Sequence, residues 1–412
     1  MKISECRNCK SKKLILLFKL GKLAFTGKFT KTINSVKKAN LELRMCKKCK
    51  LVQLGENFNL KNLYGPDYGY RTGINLTMTN HVKNVASKLS KFVNLKSGDA
   101  VLDIASNDGT LLNFYNFNIT TFGIDPLINK YKKYYRNINY KSSNFFNANL
   151  IKRKFKRKFK IITALSVFYD LQNPNTFLSD VEKLLDNDGI ALIEFADLAS
   201  IIKYNMFDTI CHEHLEYYST KVLIKLLDQN NLRLINIKSN KINGSSKQFY
   251  ISKKNSKFKQ NVNIIKKIIL SENKLKLEKK NTYLKFIKKI NNIGANLKRK
   301  INEIKKNGQS IHGYGASTKG NVLLQYYGLD NNSIDYIAER NSKKYNHYTP
   351  GTNIKIISES LSRKIKPNFY LVLPWHFKKE IILREKKTIK SGSSFIFPLP
   401  NIKIIKKISK NI

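Results

Sequence analysis

No apolar run in this chain approaches the roughly 20 residues that a helix needs to cross a bilayer, so no membrane-spanning helix and no membrane partner are expected. The opening stretch, MKISECRNCK, lacks the apolar core of a secretory leader, which points to the cytoplasm and a reducing compartment. Acidic side chains are scarce. There are 28 Asp and Glu against 77 Lys and Arg, a formal net charge of +49. Such a balance ordinarily raises nucleic-acid binding. Here the cations are spread along the chain and accompany an abundance of Asn and Ile, the codon signature of an AT-rich genome. The densest run, Lys152 to Lys160 (KRKFKRKFK), reads as a solvated segment ahead of a strand. No nucleic-acid partner is therefore expected, and the excess charge favours phosphate-bearing small molecules. Also missing are a GxGxxG loop after the first strand and the His i, i+4 pair of helical zinc proteases.

Five cysteines are present, and four form two CxxC pairs, Cys6/Cys9 and Cys46/Cys49. In a reducing compartment paired CxxC motifs point to metal rather than disulfide. Two tight turns with two thiolates each close a tetrahedral Zn2+ site with no open position, which makes the ion structural. Thirty-six residues separate Cys9 from Cys46, room for a β-rich insertion. No histidine competes as a ligand in this region, because all six lie at residue 81 or beyond. Cys211 should stay outside the cluster, and the ion should lie away from the chemistry.

At 412 residues with 42% hydrophobic side chains, the chain is long enough for two or three cored domains. Tyr64 to His81 (YGPDYGYRTGINLTMTNH) reads as a tyrosine-rich loop running into a helix. From Asp99 strands and helices alternate. Ala100–Ile104, Thr121–Ile124, Ile161–Phe168 and Ile190–Phe195 read as strands of an α/β, doubly wound parallel sheet. Residues 255 to 306 read as amphipathic helices. A second, Rossmann-like α/β unit follows, with strands near Ser310, Ile334–Ala338, Phe369–Leu373 and Phe395–Phe397. Four regions are expected: 1–62, a zinc-binding module; 63–252, the doubly wound α/β domain; 253–306, a helical bridge; and 307–412, the second Rossmann-like domain.

Two segments carry the chemistry. Val101 to Leu112 (VLDIASNDGTLL) is a strand, an acid and a tight loop at the carboxyl end of a sheet, where α/β folds bind ligands. Its candidate cofactor residues are Asp103, Ala105, Ser106, Asn107, Asp108 and Gly109. Asp125, 22 residues after Asp103, stands at the end of the second strand, where a carboxylate accepts ribose hydroxyls. Lacking a pyrophosphate loop, this region favours S-adenosylmethionine over a dinucleotide. The second segment is Ile210 to Ser219 (ICHEHLEYYS). A histidine beside a carboxylate at the open end of a cofactor sheet suits a general base, because imidazole titrates near neutrality.

In order, the motifs Cys6-x-x-Cys9, Cys46-x-x-Cys49 with Leu51-Val52-Gln53-Leu54, Tyr64 to Gly73, Asp103 to Leu112, Phe207 to Ser219, Gly313 to Asn321 (GYGASTKGN) and Leu373 to Phe377 (LPWHF) resemble the nucleotide-sugar C-methyltransferase family. The resemblance spans essentially the whole chain. It implies a four-cysteine zinc domain, a class I S-adenosylmethionine domain and a C-terminal Rossmann-like domain. It also implies a nucleotide-diphosphate 4-keto-deoxysugar as partner and a monomer. By the same resemblance His214 would take the proton beside the ketone, supported by Glu213 and His212. Tyr70 and Tyr68 would hold the substrate. Gly313, Tyr314, Gly315, Lys319 and Asn321 would bind the nucleotide diphosphate, as a glycine loop at a helix N-terminus permits. The chain departs from the family at Ala105, where glycine is usual, at Cys211, where tyrosine is common, and at Asn243 to Gln248, where Ser245 stands and the second glycine and the arginine of GGS-x-R are lacking. Two rival readings stand beside this one: a nucleic-acid methyltransferase that binds through the zinc module and the basic charge, and, motivated by these departures, a non-catalytic relative that retains the fold.

Overall fold

The computed structural model describes residues 2–59, 63, 64 and 68–406. The Gly65-Pro66-Asp67 part of the tyrosine loop and the expected boundary at residue 62 lie outside the described residues. Three sheets organise the chain.

The first is small and antiparallel. Leu14–Ala24 and Lys38–Cys46 form its long hairpin, and Val52–Leu54 adds a third strand. The fourth strand, Glu216–Tyr217, arrives from far downstream and pairs Val52 with Tyr217 and Gln53 with Glu216. The insertion between the CxxC pairs is thus β-rich, and the sheet is completed by the end of the His-Glu-His segment itself.

The second sheet has seven strands. In spatial order they are Leu232–Asn240, Ser246–Lys253, Leu185–Phe195, Phe159–Leu165, Ala100–Ile104, Thr120–Ile124 and Tyr140–Ser142. Ser246–Lys253 runs antiparallel to both neighbours, while the other pairings are parallel. Ala100–Ile104 is buried along its whole length, as a central strand covered on both faces must be. On one face lies the helix Leu76–Val93. Asn75 caps its start by accepting from the Met78 N–H, and Asn94 ends it in the left-handed region. Its buried residues Met78, Val82, Val85, Ala86, Leu89 and Val93 recur at three and four, which gives one apolar stripe.

Two helices, Val262–Lys274 and Lys280–Lys306, lead onward. The longer one buries Tyr283, Phe286, Ile290, Ile293, Leu297 and Ile301, and its Phe286 ring lies 6.0 Å from that of Phe18 in the first sheet. The third sheet has the spatial order Ile356–Ser358, Tyr336–Glu339, Ile311–Tyr314, Phe369–Val372, Ser394–Phe397 and Lys403–Ile405, parallel except for the last strand. One apolar core runs from the first sheet through the long helix into this third unit. Another joins Cys6, Cys46 and Leu51 to the central sheet.

The Lys152–Lys160 run divides as its composition suggests: Phe155 and Phe159 are buried, and most of the intervening cations are exposed. No helix among the described residues is long and apolar enough to cross a membrane.

Candidate active site

The four cysteine sulfurs Cys6, Cys9, Cys46 and Cys49 lie within 4.8 Å of one another. The pairs Cys6–Cys49 and Cys9–Cys46 are 3.5 Å apart. A tetrahedral Zn2+ with Zn–S bonds of about 2.3 Å needs sulfurs roughly 3.8 Å apart, so the donor set fits. Each CxxC turn is built alike. Lys10 and Lys50 take positive φ (57° and 65°) and donate N–H bonds to Cys6 O and Cys46 O, each at 3.0 Å. The Cys6 thiol is pulled down to about 5 by its contact with Cys49, and the Cys49 thiol is pushed up by the same contact and by burial. The two sulfurs share a proton that a cation would displace. Cys211 lies outside this cluster, buried beside the second site.

That second site is a cavity of about 470 Å³ where all three units meet. The first contributes Gly27 and Phe29, the central domain its cofactor loop and tyrosine loop, and the third the Gly315 to Lys319 loop.

On the cofactor side, Asp103 accepts from Thr163 Oγ1 at 2.6 Å, and burial raises its carboxyl to about 7. Asp125 receives N–H bonds from Leu127 (2.7 Å) and Asn107 (3.0 Å), yet burial still lifts it to about 6. Each of its oxygens keeps a second lone pair for a ligand hydroxyl. Ala105, Ser106 and Asn107 line the cavity. Asp108 and Gly109 do not; they hold the loop. Asp108 accepts from the Gly73 N–H at 3.0 Å, and a Cβ on Gly109 would come within 2.7 Å of Ile138. Asn107 ties the tyrosine loop down by accepting from the Thr72 N–H (2.9 Å) and donating to Tyr70 O (3.3 Å). Ala105 has φ +57°, which explains why glycine suits the position.

On the opposite side, His214 donates from Nδ1 to Thr209 O at 2.6 Å, which fixes the tautomer and leaves Nε2 as the acceptor. Its ring sits 4.1 Å from that of Tyr169. Burial, then the nearby Lys319 ammonium, drive its proton affinity down to about 3, so the imidazole is neutral at working pH. Glu213 also lines the cavity. Its Oε2 accepts from Thr26 Oγ1 at 3.4 Å, its Oε1 is buried without a partner, and burial raises its carboxyl. Gly27 makes this close approach possible, since a Cβ there would meet Glu213 Oε1 at 2.7 Å. His212 is elsewhere. It is clamped between the rings of Phe25 and Phe58 at 4.9 and 5.0 Å, shares a 3.2 Å bond with Ala39 O, and does not reach the cavity. It braces the segment from behind. Tyr68 and Tyr70 both line the cavity, Tyr70 at its open edge with 44% of its surface exposed.

The third unit divides in the same way. Tyr314, Gly315 and Lys319 line the cavity. Gly313 is a packing glycine, with Ile337 at 2.2 Å from any added Cβ. Asn321 donates to Thr26 O at 2.7 Å and is wholly buried at the seam with the first unit. Lys247, within the altered GGS-x-R segment, is also away from the cavity; it bridges Asp197 (2.8 Å) and Glu272 (2.7 Å) as a buried ion triad.

The sequence reading missed Glu194, His81 and Asp170, all of which line the cavity. Glu194 gathers His81 Nε2 (2.8 Å), Gln248 Nε2 (2.6 Å) and Asn240 Nδ2 (3.1 Å) at the end of its strand. Asp170 accepts from Tyr64 OH at 2.7 Å. The available signal was position: Glu194 ends a parallel strand, as Asp103 does.

Residues 6–64 match a zinc binding domain, 78–237 a methyltransferase domain and 241–400 a C-methyltransferase C-terminal domain. The fold and the cavity define an S-adenosylmethionine-dependent methyltransferase with a four-cysteine zinc module. The chain belongs to the C-methyltransferases that join these three domains in this order. It is 24% identical over 377 residues to the C-methyltransferase NovU of Streptomyces niveus, an alignment covering 89% of this chain and 87% of that protein. Among solved structures, an S-adenosylmethionine-dependent methyltransferase from Clostridium acetobutylicum is 11% identical with a TM-score of 0.34, covering 42% of this chain and 91% of that one. Magnesium protoporphyrin IX methyltransferase of Synechocystis is 15% identical with a TM-score of 0.33, covering 47% and 92%.

Proposed function

We propose that this enzyme methylates a carbon beside the ketone of a nucleotide-linked 4-keto-deoxysugar, with His214 as the general base. The observation that carries the reading is the bond from His214 Nδ1 to Thr209 O, which leaves Nε2 as the proton acceptor on a wall of the cavity. Asp103, Ala105, Ser106, Asn107 and Asp125 would hold S-adenosylmethionine, which supplies an electrophilic methyl group. Asp125 would take the ribose hydroxyls. Tyr68 and Tyr70 would flank the sugar, and Gly315 and Tyr314 the nucleotide diphosphate.

His214 Nε2 takes the proton from the α-carbon, and the electron pair moves onto the ketone oxygen as an enolate. The enolate carbon would then form its bond to the methyl group as the sulfonium–methyl bond breaks; that bond's electron pair would leave with S-adenosylhomocysteine, and the ketone would re-form. His214 afterwards releases the proton to solvent. An imidazole in so dry a pocket is a weak base in the empty cavity. Its proton affinity rises once an enolate lies beside it, because the negative charge stabilises the imidazolium. Glu213, with one oxygen unpartnered, faces the same space and would accept a sugar hydroxyl.

His214→Asn, assayed for methyl transfer to a nucleotide-linked 4-ketosugar, should lose about 10²–10⁴-fold in rate. Unchanged turnover would remove His214 as the base.

A further inference from the structure

We propose that Lys319 is the electrophile of this reaction: its ammonium hydrogen-bonds the ketone oxygen and holds the enolate. The inference rests on the reaction proposed above and moves Lys319 from the nucleotide diphosphate to the reacting carbonyl.

Its placement is the starting point. Lys319 lies in the first turn of the helix Thr318–Tyr327, whose N-cap Ser317 accepts from the Gly320 N–H. A lysine serving a diphosphate at that helix end would turn toward the loop amides. Lys319 instead crosses the seam to the central domain and donates to Asn243 O at 3.0 Å. That bond uses one of three N–H groups, and the side chain lines the cavity. Around it stand His214, His376, Asp208 and Cys211, the groups whose protonation and charge respond to it or act on it. Asp208, buried, accepts from Trp375 Nε1 at 2.7 Å through one oxygen and leaves the other unpartnered. The carboxylate thereby offsets the cation without taking its N–H groups. Burial holds the ammonium below its ordinary range, which makes it a stronger hydrogen-bond donor.

The chemistry requires such a group. Removing a proton beside a ketone leaves a negative charge on oxygen, and His214 can take the proton but cannot neutralise that oxygen. A positioned donor in a dry cavity is the usual answer. Of the other cations in the cavity wall, the three arginines pair with carboxylates, and Lys344 lies on the far side of the glycine loop from the base. Arg71 pairs with Asp108 (3.6 Å) and lies over the Tyr134 ring. Lys344 donates to Ala316 O at 2.7 Å and lies over Phe29. Arg340 bonds Ile74 O and Glu380. Arg384 bonds Tyr314 OH and Glu359. Lys319 is the one in electrostatic contact with the base. The proton therefore moves from carbon to His214 Nε2, the electron pair moves to oxygen, and the Lys319 N–H receives that oxygen without transferring its own proton.

The test separates binding from chemistry, using thymidine-diphosphate 4-keto-6-deoxyglucose as probe. Lys319→Met should lower kcat about 10²–10³-fold while the Kd of the nucleotide sugar changes less than about fivefold and S-adenosylmethionine still binds. A Kd weakened thirtyfold or more with kcat intact at saturation would mark a diphosphate anchor and overturn the proposal, as would no change in either. Lys319→Arg, which keeps the charge, should recover activity that Lys319→Gln does not; equal loss in both would mark a packing role and overturn it too. If His214→Asn abolishes turnover and Lys319→Met does not, the base assignment stands and this inference alone falls. If neither changes turnover, the reaction itself has been misread.

Discussion

The zinc module should be part of the catalytic apparatus through Arg7, and Arg7→Met tests this. Arg7 stands inside the first CxxC turn and is 3% exposed. Its guanidinium donates to Leu54 O (2.8 Å), Glu56 O (2.8 Å), Asn57 Oδ1 (2.7 Å) and Gln53 Oε1 (3.3 Å). It also reaches Leu215 O at 3.4 Å, the residue after the proposed base. Leu215 is held from its other side, where its N–H donates to Tyr169 O at 2.7 Å. Methionine fills the space but removes the guanidinium from Leu54 O, Leu215 O and Gln53 Oε1; Gln53 Oε1 keeps the residue 7 N–H (3.1 Å) and Leu215 O keeps the Leu54 N–H (2.8 Å), so the loss is about 1–3 kcal/mol in all. Glu216 loses its cation as well. Burial already holds its carboxyl up at about 8 and Arg7 draws it down. Without Arg7 it stays protonated, so no bare carboxylate is stranded in the core and this loss stays on the order of 1 kcal/mol. The total should be about 2–4 kcal/mol, the sum of the lost hydrogen bonds and the lost cation. Chemical denaturation should show this loss with zinc content and S-adenosylmethionine affinity retained. Turnover should fall at least tenfold, because the Leu215 anchor sets the position of His214. A stability loss below 1 kcal/mol with unchanged turnover would refute the reasoning.

Other consequences can be checked alongside. Cys46→Ser, or chelation of the wild type, should lower zinc content and loosen the N-terminal sheet while calorimetry finds the S-adenosylmethionine site intact; metal analysis finding about one zinc in a variant lacking all four cysteines would overturn the assignment. Ala105→Gly should raise stability by up to about 1 kcal/mol in thermal unfolding, because relief of a left-handed alanine outweighs the extra freedom of glycine in the unfolded chain; a loss of more than 1 kcal/mol would contradict this. Stability of the empty protein should decline above about pH 6.5 and again below about pH 4, the two sets of groups opposing each other in between. Carboxyls raised to about 6, 7 and 8 at Asp125, Asp103 and Glu216 lose their contribution as pH rises from near 4 through those values. Histidines lowered to about 3 and 4 at His214 and His212 lose theirs as pH falls below 6.5. A monotonic rise in stability to pH 8 would count against the buried carboxyls.

Much of the fold was legible because the chemistry of its parts is local. Paired CxxC turns close on one metal wherever the intervening chain goes, and the strand Ala100–Ile104 appears at the residues its apolar run marks. Strand ends were less well placed. The apolar run to Phe168 continues past the strand end at Leu165 into a short helical turn that delivers Asp170 to the cavity. Short edge strands such as Tyr140–Ser142 and Ile356–Ser358 carried too few residues for periodicity to register.

The site was half legible. His214 and Glu213 reach the cavity, but their neighbour His212 does not, because the segment turns at residues 211–213 and sends the two imidazoles to different units. No spacing rule distinguishes them. The Gly313 to Asn321 motif likewise mixes cavity residues with packing ones, and only three-dimensional contact shows that Lys319 leaves its own domain. Glu194 and His81 are 113 positions apart, so their pairing has no local signature.

The central claim is that His214 removes a carbon-bound proton. It is tested most directly by following the nucleotide 4-ketosugar by proton NMR in D2O with S-adenosylhomocysteine in place of the methyl donor. The wild type should exchange the α-proton for deuterium, and His214→Asn should slow that exchange at least a hundredfold with sugar binding preserved. Equal exchange in the two proteins would contradict the account.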